Sequence, residues 1–323
     1  MSQKKPSVLV TGAAGYVGRL TIETLHARRD DLGTIVALDV REMPRDARHE
    51  GVVYAVDDIC SENLPDLMRT HHIDTIVHLA SILRTPKGSA PDFAYHVDVD
   101  GTKNVLEAAK AAGASKLIVT TSGAAYGYYA DNPRWIDEED AIRGNDDFEY
   151  ARNKKLIEAL LKRWRDDFPE IKQLIFRPST VVGESVKSPV TDLFEKRVML
   201  GIVGSESRFV FIWDRDLVAC FVEGIFSDKT GIYNVAGDGA MTAREIAQKL
   251  DKPYLPLPAS LVKVALWTAH TLRLSEHGPK HVKFLRYRPV LSNRRLKDAF
   301  GFIPKLSSEE AFEFYAKAKG LIN

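Results

Sequence analysis

Tyr150 and Lys154 stand four residues apart in a stretch whose pattern predicts a helix over about Asp147–Asp166, so their side chains share one face. A free phenol titrates at about 10 and is a poor base near neutrality, but an ammonium beside it favours the phenolate. Ser122, in Thr120-Thr121-Ser122-Gly123, closes an apolar strand pattern and offers a hydroxyl to the same reacting oxygen. Tyr-x-x-x-Lys alone is common on solvated helix faces. Its company gives it meaning: a serine at the carboxyl end of a strand, where open α/β sheets bind ligands, and a glycine-rich loop upstream.

That loop is Thr11-Gly12-Ala13-Ala14-Gly15-Tyr16-Val17-Gly18, between a first strand and a first helix. Residues without Cβ are needed where the chain turns tightly, where backbone approaches a pyrophosphate and where helix meets strand. The helix N-terminus then presents free N–H groups to phosphates. Asp39 ends the second strand 21 residues past Gly18; an acid there accepts hydrogen bonds from an adenosine ribose and repels a 2′-phosphate. NAD is therefore expected over NADP, which Arg41 and Arg45 keep open. Asp58 and Ile59 follow the third strand, where an adenine contact would fall, although a solvated loop acid is the competing reading of Asp58.

The elements that must position these residues alternate. Strands are predicted at Ser7–Val10, Thr34–Asp39, Val52–Val56, Thr75–Leu79, Lys116–Thr121 and Lys172–Arg177, with helices at about Tyr16–Arg28, Asp92–Ala112 and Asp147–Asp166. Nearly continuous apolar strands separated by helical periods predict an α/β fold, a Rossmann-type doubly wound parallel sheet covered on both faces. Later strands are expected at Phe209–Trp213 and Ile232–Val235. Thr242-x-x-Glu245 and Ser307-x-x-Glu310 read as capping boxes opening helices. The expected division is a dinucleotide-binding domain over 1–182 plus about 209–240, and a smaller C-terminal substrate lobe from about 183–208 and 241–323. The apolar stretch Ala259–Leu274 carries Lys263, His270 and Arg273 and is shorter than the ~20 residues of a bilayer span. It reads as a lobe helix packed on the core, with a substrate-pocket wall or a dimer contact as alternatives.

These residues resemble the extended short-chain dehydrogenase/reductase superfamily, in its NAD-dependent epimerase/dehydratase family. The likeness runs over nearly the whole chain. It includes His78-Leu79-Ala80-Ser81, Val99-Asp100-Gly101-Thr102, Ala125-Tyr126-Gly127, Arg177-Pro178 through Gly183, Tyr233-Asn234-Val235 and Gly301-Phe302-x-Pro304. The resemblance implies that Tyr150 is the general acid/base. Lys154 would lower its pKa and bind the nicotinamide ribose, and Ser122 would position the reacting oxygen while hydride passes to or from nicotinamide. Leu79, Ala80 and Pro178 would line the nicotinamide end, with Ser81, Ser122, Gly123, Thr180 and Arg208 as candidate substrate contacts. The helices near Asp92–Ala112 and Asp147–Asp166 would form a homodimer contact. His78 is expected to be a packing residue.

Three departures bear on substrate. Asp98 stands where the family usually has Asn, and reads as a possible helix N-cap. Thr180 replaces an Asn that contacts sugar diphosphates. Trp213 replaces a strand-end histidine, Arg208 lies one place off register, and Arg286-Tyr287-Arg288-Pro289 replaces R-x-G-D. Diphosphate recognition needs placed cations, so these changes weaken a nucleotide-sugar reading; Arg208, Arg286 and Arg288 remain a candidate anionic site.

Composition excludes other classes. The 323 residues carry 45 Lys or Arg against 44 Asp or Glu, and 45% are hydrophobic, which argues against disorder and against a dedicated nucleic-acid binder. Two isolated cysteines, Cys60 and Cys220, suggest neither a disulfide scaffold nor a metal site and fit a reducing compartment. No leader or membrane-spanning pattern is seen, so a cytoplasmic location is expected. The leading expectation is an NAD-dependent oxidoreductase working between a secondary alcohol and its ketone. The alternatives are a nucleotide-sugar epimerase/dehydratase with retained NAD, and a cofactor-sensing protein without chemistry.

Overall fold

Side chains in a strand alternate between faces, and here both faces are covered. In the first strand Val8 and Val10 enter one core with Ile35, Ile118, Leu174 and Phe221; Leu9 enters the other with Val36, Ile76, Leu117 and Ile175. A strand buried on both sides has no polar alternation to show, hence the continuous apolar runs. The computed structural model describes residues 5–272, 278 and 282–322.

In chain order the first half comprises β1 (Val8–Thr11), α1 (Tyr16–His26), β2 (Ile35–Asp39), β3 (Val52–Val56), α2 (Leu64–Thr70) and β4 (Thr75–His78). Then follow α3 (Phe93–Tyr95), α4 (Gly101–Ala112), β5 (Lys116–Thr120), α5 (Glu149–Asp167) and β6 (Lys172–Pro178). The second half holds β7 (Thr180–Val182), α6 (Thr191–Phe194), β8 (Met199–Ile202), β9 (Arg208–Phe209), β10 (Phe211–Trp213), α7 (Asp214–Ile225) and β11 (Gly231–Val235). It continues with β12 (Met241–Thr242), α8 (Ala243–Lys249), β13 (Tyr254–Leu257), α9 (Ala259–Thr271), α10 (Val282–Arg286), α11 (Arg294–Asp298) and α12 (Ser308–Ala318).

Seven strands form one parallel sheet in the order β11-β6-β5-β4-β1-β2-β3. The chain reverses its direction of travel between β1 and β4, and a ligand crevice opens at the carboxyl ends of strands flanking such a point. The fold class read from the sequence is the one observed. A third core, built on Phe194, Phe209, Phe211, Ile246, Phe312 and Tyr315, lies under β7, β10, α8 and α12. Both capping boxes are formed.

Four local expectations change. The single strand expected at Phe209–Trp213 is two: β9 pairs antiparallel with β12, and β10 pairs parallel with β7, outside the main sheet. The helix expected over Asp92–Ala112 is broken by a π-helical turn at His96–Asp100. Asp98 is no N-cap: α4 is preceded by Asp100, and Asp98 is buried inside the π turn. Finally, α9 does not pack as a core helix. Among its described side chains only Val262 is buried, with Ala259 and Leu266 partly so, against Ile202 and Val282. Arg273 and Leu274 lie outside the described residues.

Candidate active site

The loop from β1 to α1 is shaped by close backbone approach. Gly12 has φ +68°, and a Cβ there would come within 2.8 Å of the Leu79–Ala80 backbone; one at Gly15 would lie 3.0 Å from the Gly12 carbonyl. Thr11 Oγ1 accepts from the N–H groups of Leu79 and Ala80 at 3.3 and 3.4 Å. The two strand-end loops that flank the switch point are thus clasped together. Gly15 precedes α1, so the amides of Tyr16, Val17 and Gly18 lie in a first helical turn, whose N–H groups have no partner within the helix.

Beyond this loop a small cavity is lined by Ala13, Ala14, Asp39, Arg41, Met43 and Tyr54. Asp39 Oδ2 accepts from Ala14 N at 3.0 Å, and Oδ1 accepts from Arg41 N and Nε at 3.0 and 3.1 Å. These residues fit the adenosine and pyrophosphate of a dinucleotide: small walls, an acid for ribose hydroxyls and a helix N-terminus for phosphate. Asp58 is exposed and accepts from Cys60 N at 2.8 Å, while Ile59 is buried beneath α4.

Tyr150 and Lys154 lie one turn apart on α5, with Lys154 Nζ 5.4 Å from the Tyr150 ring centre. Lys154 is buried and donates to Ser81 Oγ at 2.8 Å; Ser81 Oγ donates to Asp98 Oδ1 at 2.9 Å, which also accepts from Ile82 N. Asp98 Oδ2 is buried without a partner. Sequence reasoning missed this chain. Its one signal was an acid where the family usually has an amide. Ser122 caps the 3-10 turn Gly123–Tyr126, its Oγ accepting from Ala124 N at 3.1 Å. α5 packs on that turn, and Gly144 N donates to Ala125 O at 2.8 Å. Gly123 is buried against Leu291. Pro178 ends β6, and Thr180 opens β7.

His78 lies beneath, hydrogen-bonded to Thr11 Oγ1 at 2.7 Å and Thr102 Oγ1 at 3.0 Å. Burial, aided by the Lys154 charge, pushes its pKa down to about 3. It is a neutral packing residue at physiological pH.

Over the site stands an aromatic wall that the sequence reading did not single out. Phe284 of α10 sits 4.2 Å from the Tyr128 ring and 3.9 Å from Phe148, whose ring is 6.2 Å from Tyr150. Arg288 lies over Phe209 at 4.1 Å, and burial pushes its guanidinium down to about 10. The Nε atoms of Arg286 and Arg288 are buried without partners. Arg208, by contrast, is paired with Glu206 at 2.6 Å. The loop after Ser81 is tied to α6 by Arg84–Asp192 at 2.7 Å and to the start of α5 by Thr85–Glu149 at 3.1 Å. No cluster of metal-ligating side chains occurs among the described residues.

The chain is similar to several known proteins. An uncharacterized protein of Mycobacterium bovis is 21% identical over 321 residues, covering 97% of this chain and 84% of that one. The N-acetyl-alpha-D-glucosaminyl-diphospho-ditrans,octacis-undecaprenol 4-epimerase of Escherichia coli O157:H7 is 26% identical over 273 residues, covering 79% of this chain and 77% of its own. The crystal structure of Thermus thermophilus UDP-glucose 4-epimerase in complex with NAD superimposes with a TM-score of 0.70 at 23% identity, covering 97% and 98% of the two chains. Residues 8–235, from the first sheet strand to the last, match the model of the NAD dependent epimerase/dehydratase family, and the chain belongs to that family.

Proposed function

We propose that the chain is an NAD-dependent enzyme acting at a secondary carbinol of a sugar carried on a diphosphate, with Tyr150 as general acid/base. The observation that carries this is the buried Lys154 ammonium, 5.4 Å from the Tyr150 ring, on a helix packed against the Ser122 turn. A cation beside a phenol stabilises negative charge on its oxygen as the proton leaves. Ser122 Oγ would bind the reacting oxygen. Gly12 to Gly18, Asp39, Leu79, Ala80, Lys154 and Pro178 would hold NAD, which supplies a hydride acceptor and donor at its nicotinamide.

One feature supports the sugar diphosphate and another the reaction. Arg286 and Arg288 present cations that no carboxylate partners among the described residues, and an anion would complete them. Residues 123–125 are Gly, Ala and Ala, so the Ser122 turn carries no further acid or base for eliminating water. This favours epimerisation over dehydration. The active cleft lies in this reading between the dinucleotide domain, 1–182 with about 209–240, and the lobe of about 183–208 and 241–323. Two copies meeting across α4 and α5 belong to the same reading.

The second reading, a net oxidoreductase on an apolar alcohol, is favoured by the wall of Tyr128, Phe148 and Phe284. Incubation with UDP-sugars and with alicyclic alcohols separates them. An epimerase converts its sugar without net absorbance change at about 340 nm, whereas an oxidoreductase changes it in step with product. In either case Tyr150→Phe should lose about 10²–10⁴-fold in turnover and keep its affinity for NAD. Near-normal turnover would remove Tyr150 from the role.

A further inference from the structure

A helix that is apolar all round belongs inside a protein or a membrane; one with a buried side and an apolar outer side needs a second cover. α9 is of the latter kind. At 3.6 residues per turn, Val262 and Leu266 lie on the face that meets Ile202 and Val282. Leu261, Val264, Ala265, Thr268 and Leu272 fall in one arc on the opposite side, with Trp267 and then Lys263 at its border. Leu261, Val264, Trp267 and Leu272 are each 57–62% exposed.

The patch continues beyond the helix. Period two puts Leu200 and Ile202 on one face of β8, and Leu255 and Leu257 on one face of β13. Ile202 and Leu257 meet α9. Leu200 and Leu255, paired across the two strands and each 46% exposed, therefore lie on the same side as the helix.

Charge identifies the cover. Residues 259–282 carry three Lys or Arg, Lys263, Arg273 and Lys280, against a single Glu, Glu276, in a chain whose overall balance is +1. A second copy meeting this patch across a two-fold axis would set one basic segment against the other. Anionic lipid headgroups complement the cations, while the acyl boundary takes the leucines and the tryptophan. We infer that α9 seats the enzyme on an anionic bilayer surface, lying in the interface without crossing it. No helix among the described residues is long and apolar enough to cross.

The same cluster couples docking to the site. α9 packs on α10 through Val282 and Leu285, and Phe284 of α10 forms the aromatic wall over Phe148 and Tyr128. The cleft thus opens beside the lipid, suited to a substrate held there by an apolar tail. Vesicle binding is read without turnover, so it stands or falls separately from the proposed chemistry.

The test is co-sedimentation of the full-length protein, with NAD present, on vesicles of phosphatidylcholine alone or mixed with phosphatidylglycerol, beside a Leu261→Ser/Trp267→Ser variant. The wild type should bind the mixed vesicles, release at high salt, and bind phosphatidylcholine alone far less. The variant should bind at least about tenfold less with an unchanged melting temperature and NAD affinity. Binding equal in wild type and variant would overturn the inference, as would no binding to mixed vesicles. So would a wild-type dimer that the variant splits, since a second copy would then be the cover.

Discussion

At the scale of single residues, the candidate site rests on groups that hold Lys154. Lys154 is held by Ser81, and Ser81 by Asp98, each through one hydrogen bond of 2.8–2.9 Å. If Asp98 acts as an acceptor, Asp98→Asn keeps Oδ1 for Ser81 and Ile82 and should change kcat less than about threefold. Asp98→Ala frees both donors in a buried place, which costs about 1–3 kcal/mol, and should lower kcat about tenfold or more. Steady-state kinetics on both variants decides; equal losses would show that charge, not the acceptor, is what counts. Glu138 presents a different case. Its Oε1 accepts from Asn234 N at 2.6 Å, but Oε2 is buried without a partner, and burial pushes its pKa up to about 7. The folded state therefore holds this proton through a window, from about 4.5 to about 7, in which the unfolded state has lost it. The unfolded state binds fewer protons there, so stability falls as pH rises. Glu138→Gln, which fixes the neutral form, should leave stability nearly unchanged at pH ~4.5 and raise it by about 1–2 kcal/mol at pH ~8. Urea denaturation at the two pH values measures it.

At the scale of elements, strands were easier to read than helices. β1, β2, β4, β5 and β6 declare themselves because burial on both faces demands unbroken apolar runs, and β3, a half-buried edge strand, keeps an apolar run as well. β7, β9, β10 and β12 are two or three residues long, and so short a run has no period to detect. The π turn is invisible for another reason: His96-Val97-Asp98-Val99-Asp100 keeps helical composition, while Asp98 inside it bonds Ser81, 17 residues away. α9 was misjudged because Leu, Val and Trp look alike whether covered or bare. The juxtaposition of Tyr150 and Lys154 on α5 was legible, since it needs only helix spacing. The Tyr16–Asp214 hydrogen bond was not, since it joins residues 198 apart. That bond ties the first turn of α1, in the cofactor loop, to the start of α7. Asp214 is buried, which raises its pKa, and it also accepts from Arg215 N at 2.7 Å. Tyr16→Phe leaves the carboxylate short of a donor and should cost about 1–3 kcal/mol, with NAD binding weakened several-fold. Adding Asp214→Val removes the stranded partner, so much of the stability should return in thermal melts while NAD affinity stays weakened. A double variant less stable than either single one would contradict this account.

At the scale of the whole molecule, the proposed function lays the cofactor along the carboxyl edge of the sheet, from the cavity at β2 and β3 to Lys154 on α5. Its binding therefore joins elements that are far apart in sequence, and melting temperature reports it globally. Ligand at about 100 times Kd adds about 2.7 kcal/mol, worth several degrees in a chain of this length. Which cofactor does so turns on Asp39. Its side chain is only 8% exposed, against 65% for Arg41, whose guanidinium it holds at 3.1 Å. With Arg41 neutralised, a 2′-phosphate would meet a fixed carboxylate, so NAD should raise the melting temperature well above the shift from NADP at equal concentration. Asp39→Ala removes the repulsion and releases Arg41 in one step, and the bidentate guanidinium is then free for phosphate. The order should narrow or invert: the NAD shift falls as ribose hydrogen bonds are lost, and the NADP shift rises. Asp39→Ala/Arg41→Ala separates the two effects, because it lacks both acid and cation and should bind each cofactor weakly with little preference. If NADP gains as much in that double variant as in Asp39→Ala, Arg41 plays no part and repulsion by Asp39 alone sets the preference.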